Sequence, residues 1–97
     1  MNKGFEPTGE YLKIDPEPTR VQVVTEPYVI YTKRGYQPVV DVIERKSRKL
    51  FSLFITARSL ADQLELLRDT NGGRFSGLEF WIRKESYEKT SPYIIEE

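Results

Sequence analysis

Residues 20–33 read RVQVVTEPYVIYTK, and whether this stretch is one strand or two decides the fold. Val21 and Val23 share one face by the strand period of two, and Tyr28 to Lys33 continues extended, rich in β-branched and aromatic residues. Pro27 stands between them. Proline lacks the amide hydrogen that a central ladder position donates, so it marks a bend or bulge. The stretch is therefore read as one long, strongly bent strand from Val21 to Lys33.

Outward from this stretch the chain keeps alternating. A turn at Arg34-Gly35 leads into a strand over 38–45. The polar turn Lys46-Ser47-Arg48 separates it from the strand 49–55. The period then changes: Leu60, Leu64 and Leu67 fall at i, i+4 and i+7, which predicts a helix. Ser59 is its expected N-cap, with Asp62 in the position of a capping box, and Asn71-Gly72-Gly73 ends it. In GLEFWIRK (77–84), Leu78, Phe80 and Ile82 point one way and Glu79, Trp81 and Arg83 the other. A polar loop, 85–92, precedes a short strand, 93–96. Residues 1–18 hold Pro7, Pro16 and Pro18 and read as an N-terminal arm, with a brief strand over 10–14; residues 19–97 form the domain. The order is β-β-β-α-β-β. An all-β chain of five strands with one helix between the third and fourth is the element order of an OB-fold, a Greek-key barrel.

Composition narrows the chemistry. With no histidine and no cysteine among 97 residues, ordinary zinc sites, disulfides, Ser-His-Asp triads and Cys-His dyads are excluded. Asn71-Gly72-Gly73-Arg74 lacks the Gly-Lys-Ser/Thr ending of a phosphate loop. Carboxylates such as Glu85 and Glu88 lie in a polar loop with no source of a pKa shift, so no enzymatic role and no cofactor are expected. No apolar run approaches the ~20 residues of a membrane span, and the N-terminus lacks the apolar core of a signal peptide. A soluble, cytoplasmic protein is the default expectation. The charged fraction of 31% with only five Asn and Gln leans toward a thermophilic source.

The net charge of zero conceals a basic middle: residues 33–84 carry eleven basic and six acidic side chains, whereas both ends are acidic. Such a block can attract a polyanion. Within it, YTKRGYQ (31–37) sets Tyr31 and Tyr36 around Lys33 and Arg34. Single-strand nucleic-acid binders combine cations along the backbone with aromatic faces on which bases stack. Arg45, Lys46, Arg48 and Lys49 make a four-cation turn suited to phosphates, and equally to a solvated turn that protects a sheet edge. Trp81 lies on the face opposite Leu78, Phe80 and Ile82 and needs a ligand, a second subunit or the arm, through Phe5 or Tyr11, to cover it. Phe54 faces outward if Phe51, Leu53 and Ile55 face inward, and is read as either core or platform. Arg83 shares the outer face, and Tyr87 and Lys89 sit in the loop that would clamp a ligand.

The runs VVTEPYVIYTKRGYQPVVDV, LFSLFI, SLADQLELL and GLEFWIRKE, with Gly35-x-x-Pro38 ahead of the second strand, resemble small single-domain OB-fold proteins that bind single-stranded DNA in archaea and their viruses. The resemblance covers residues 10–96. It implies binding of single-stranded DNA, or RNA, with little sequence preference and without a cofactor. Bacterial single-strand binders end in a long acidic tail; here only Glu96-Glu97 stands in that place. The alternative from another class is an interaction module that uses the Trp81 face to form a homodimer or to dock on a protein partner.

Overall fold

A computed structural model describes residues 10–97. Its elements in chain order are β1 (Thr19–Val23), β2 (Tyr28–Thr32), β3 (Gly35–Glu44), β4 (Leu50–Phe54), α1 (Arg58–Thr70), β5 (Glu79–Lys84) and β6 (Tyr93–Glu96). The fold is mostly β with one helix, and its single sheet is antiparallel in every named pairing. The order along the sheet is β2-β3-β1-β5-β6, with β4 also paired to β3.

The expected count of five strands becomes six, because the bent first strand is two strands on the same side of β3. Val23 pairs with Val42, and Tyr28 pairs with Val39. Four residues, 24–27, therefore stand against two, Val40 and Asp41. This is an enlarged bulge with two extra residues, in the place where Pro27 cannot donate. Thr25 Oγ1 accepts the Asp41 amide at 3.0 Å, and the Val24 amide reaches the Asp41 carbonyl at 2.9 Å, so the interruption is bonded internally.

The expected closed barrel is also corrected. β4 and β6 do not pair with each other. Helix α1 occupies the free edge of β6 instead. The Ser59 hydroxyl accepts the Tyr93 amide at 3.2 Å, Gln63 Nε2 donates to the Tyr93 carbonyl at 2.8 Å, and Gln63 Oε1 accepts the Ile95 amide at 2.9 Å. Three outward backbone groups that a closing strand would have bonded are taken by two helix side chains. The same bond explains why Ser59 does not cap the helix: the N-cap is Ala57, with no side-chain bond, and no acidic residue lies in the first turn. The C-terminal end follows expectation, with Asn71 as C-cap and Gly72 and Gly73 left-handed.

One core lies between the sheet and α1. It is built from Val21, Val23, Val40, Val42, Leu53, Leu60, Leu64, Phe75, Leu78, Phe80 and Ile82. Phe51 and Ile55 pack against it, which fixes the phase of β4 that the sequence left open. On the other side of the sheet, Tyr28, Ile30 and Val39 form a second, smaller cluster, and Phe54 packs there. The expected strand over 10–14 is reduced to a single parallel bridge between Tyr11 and Ser52. From that bridge the arm crosses to β5, where the Lys84 amide donates to the Asp15 carbonyl at 2.9 Å. Leu12 and Ile14, between the two contacts, pack against the main core.

Candidate nucleic-acid interface

The tight turn between β2 and β3 is set by one glycine. Gly35 has φ of 97°, while neither Lys33 nor Arg34 has a positive φ. That is the pattern of an ordinary turn followed by a left-handed residue. Thr32 locks it: its hydroxyl donates to the Gly35 carbonyl at 2.9 Å and accepts the Arg34 amide at 3.1 Å. Gln37 Nε2 donates to the Arg34 carbonyl at 3.4 Å. Lys33 and Arg34 are thereby held at the tip with both side chains exposed.

Beside this tip lies a groove of about 710 Å³, lined by Tyr11, Tyr31, Thr32, Lys33, Arg34, Gln37, Phe54 and Thr56. No carboxylate lines it. Tyr11 stacks on Phe54 with ring centroids 4.8 Å apart and planes 20° from parallel. Tyr31 and Tyr36 are cross-strand partners in an edge-to-face pair at 5.1 Å, and both rings are about three-quarters exposed, at 75% and 74%. Among the described residues, Lys33 and Arg34 form no ion pair. An anion meeting them therefore displaces no competing carboxylate.

The floor under the aromatic groups is hydrogen-bonded across three strands. Tyr28 Oη donates to Asp41 Oδ1 at 2.6 Å, and the buried Ser52 hydroxyl donates to the same oxygen at 3.2 Å. Burial, reinforced by the bond to Asp41, pushes the Tyr28 phenol up to about 12. The side chains join β2, β3 and β4 below Tyr11.

The remaining expected residues fall elsewhere. Arg45, Lys46 and Trp81 line a second depression of about 670 Å³, together with Lys13, Asp15, Glu17, Pro18, Thr19, Arg20 and Glu44. Arg20 lies over the Trp81 ring at 5.5 Å, and its Nε meets Glu79 Oε2 at 3.1 Å; Arg45 Nε reaches the same carboxylate oxygen at 3.6 Å. The guanidinium groups beside the indole are thus already paired with a carboxylate. Arg48 borders a smaller depression with Ile43 and Arg45. Lys49 is exposed in the same turn, and Tyr87 and Lys89 are exposed on the 85–92 loop, outside both large depressions. Arg83 donates to the Lys84 carbonyl at 3.4 Å, also outside them. The two basic turns sit at opposite ends of the ten-residue β3, about 30 Å apart at ~3.3 Å per residue.

Trp81 is 43% exposed, and the arm borders it through residues 13–18; Tyr11, expected as a cover, lies on Phe54 instead. Phe5 falls outside the described residues. Tyr11, Thr32, Gln37 and Thr56 are the groove residues that pattern reading missed. The alternation over 10–14 was the available signal for Tyr11, but its partner across the sheet edge was not. No protein-family model, curated protein or solved structure matches this chain.

Proposed function

We propose that this protein binds single-stranded nucleic acid, taken as DNA, with little sequence preference, in the groove beside the β2–β3 turn. The observation that carries the reading is the pairing of exposed aromatic rings with two cations that no carboxylate neutralises. Each base stacked on such a ring contributes ~1–3 kcal/mol, independent of base identity. Lys33 and Arg34 supply the phosphate contacts; Lys46, Arg48 and Lys49 make a second basic patch at the far end of β3, where Arg45 is already paired with Glu79. The finer fold reading belongs to the same proposal. Counting β1 and β2 as one bent strand restores the OB-fold order, with α1 between the third and fourth strands, and the groove then lies where such folds bind oligonucleotides.

The test is anisotropy of labelled oligo-dT, oligo-U and duplex DNA across a salt series. Binding of oligo-dT that weakens linearly in log salt, with duplex much weaker, is the expected result. No binding of any strand at low salt would sink the proposal. Glu79 favours a different use for the Trp81 depression: with Arg20 and Arg45 already paired, that face suits a protein contact better than a phosphate.

A further inference from the structure

Three outer strand edges are left over by the sheet, and two of them are covered. Ser59 and Gln63 bond the edge of β6. The arm bonds the edge of β4, where the Leu12 amide donates to the Ser52 carbonyl at 3.0 Å and the Ser52 amide to the Glu10 carbonyl at 2.9 Å. The third edge is that of β2. Pro38 pairs with Val29, has no amide hydrogen, and turns its carbonyl to the Ile55 amide on the β4 side at 3.1 Å. Val29 therefore bonds nothing across β3, and by alternation neither does Tyr31. Their amides and carbonyls point outward, away from β3. Among the described residues nothing pairs with them. The Val29 and Tyr31 side chains on this edge are 56% and 75% exposed.

We propose that the β2 edge is a self-association surface, on which two copies of this chain pair their β2 strands antiparallel about a two-fold axis at Ile30. A second copy fits because the strand is self-complementary. YVIYT carries no charge and no proline, the two devices that normally keep an edge from pairing. With Ile30 opposite its own copy, Val29 of each chain meets Tyr31 of the other in a hydrogen-bonded pair, giving about four new backbone bonds. The same register carries the cationic Lys33-Arg34 turn of each copy to the Glu26-Pro27 end of the other. The Glu26 carboxylate is fixed there by the Phe75 and Ser76 amides at 3.2 and 2.9 Å. Opposite charges thus meet twice, once at each end. Such an interface is small and concentration-dependent. It does not rest on the nucleic-acid reading, but it draws on the same Lys33-Arg34 turn, so the dimer and a bound strand would compete for those cations.

The experiment is sedimentation equilibrium of the full chain without nucleic acid. It compares wild type with Val29→Lys, and with Leu66→Lys on the exposed helix face as control. Circular dichroism on each confirms retained structure. Wild type and Leu66→Lys are expected to show a monomer–dimer equilibrium, with dimerisation by Val29→Lys at least ~10-fold weaker, since the new lysines place charge on the edge. Wild type that stays monomeric up to about 1 mM would overturn the proposal. So would a Val29→Lys chain that dimerises as well as wild type, or loss of the dimer on Leu66→Lys alone. As a check that does not depend on that variant folding, the double variant Val29→Cys/Tyr31→Cys should form a disulfide-linked dimer on oxidation. The parent chain has no cysteine to confuse the result. Failure to cross-link under conditions where wild type is dimeric would also overturn it.

Discussion

Replacing Gln63 by alanine tests how β6 is held. The amide of this one side chain makes two of the three bonds on the outer edge of β6, to the Tyr93 carbonyl at 2.8 Å and the Ile95 amide at 2.9 Å, and a third to the Ser59 carbonyl at 2.6 Å. Tyr93 and Ile95 are half-buried, so the freed groups are only partly rehydrated. A typical net contribution is ~1 kcal/mol per hydrogen bond, and an unsatisfied buried group costs ~1–3 kcal/mol. Two β6 groups at the lower end of that range put the cost of Gln63→Ala at about 2–3 kcal/mol, or a Tm lowered by roughly 8–24 °C at this size. Urea unfolding gives the free energy directly. Ser59→Ala removes only the Tyr93 amide's partner and should cost about 1 kcal/mol. Amide exchange should show Tyr93 and Ile95 losing protection first in the Gln63 variant. A Gln63→Ala cost below ~0.5 kcal/mol, within the usual range of unremarkable surface substitutions, would refute the idea that helix side chains replace a closing strand.

Three further outcomes follow from the groove and its floor. The folded chain keeps the Tyr28 proton up to about pH 12, whereas an unfolded tyrosine releases it near 10; that contribution to stability is intact below about pH 10 and is lost as pH rises toward 12. Urea midpoints of wild type and Tyr28→Phe should therefore converge over this window, and parallel curves would count against it. Gly35→Ala meets no atom within 4 Å but must hold a φ of 97°, so it should cost about 1–2 kcal/mol in thermal unfolding through backbone strain alone. Lys33→Ala/Arg34→Ala should weaken oligo-dT binding and flatten its log-salt slope by ~1.4, at ~0.7 per phosphate contact, while Arg83→Ala should leave the slope unchanged.

Much of this arrangement was legible from alternation. Phe80 and Ile82 inward with Trp81 outward, Leu60 and Leu64 in the core, and the opposite faces of Leu53 and Phe54 all follow from period alone. What the sequence hid depends on long-range partners. Ser59 looks like a cap in isolation, but its hydroxyl is taken by Tyr93, thirty-four residues on. Glu79 alternates as an exposed strand residue, yet it gathers Arg20 and Arg45 from two other places in the chain and removes their charge from the Trp81 face. Tyr11, in an arm broken by prolines, reaches Phe54 only because β4 offers it an open edge. Topology divides the candidate residues: Tyr31, Lys33, Arg34 and Phe54 line the groove at one end of β3, Arg45, Lys46 and Trp81 the depression at the other.

The bulge at Pro27 has a consequence for how this chain can change length. It adds two residues, not one, and an even number preserves which side of the sheet each side chain meets. A single residue deleted or inserted between Val24 and Pro27 would put β1 out of alternation with β2, whose faces the 32–35 turn holds against β3, so the bulge itself would have to absorb the odd residue. Changes of two residues would keep the frame. Natural and engineered length variants at this bend should therefore come in even steps.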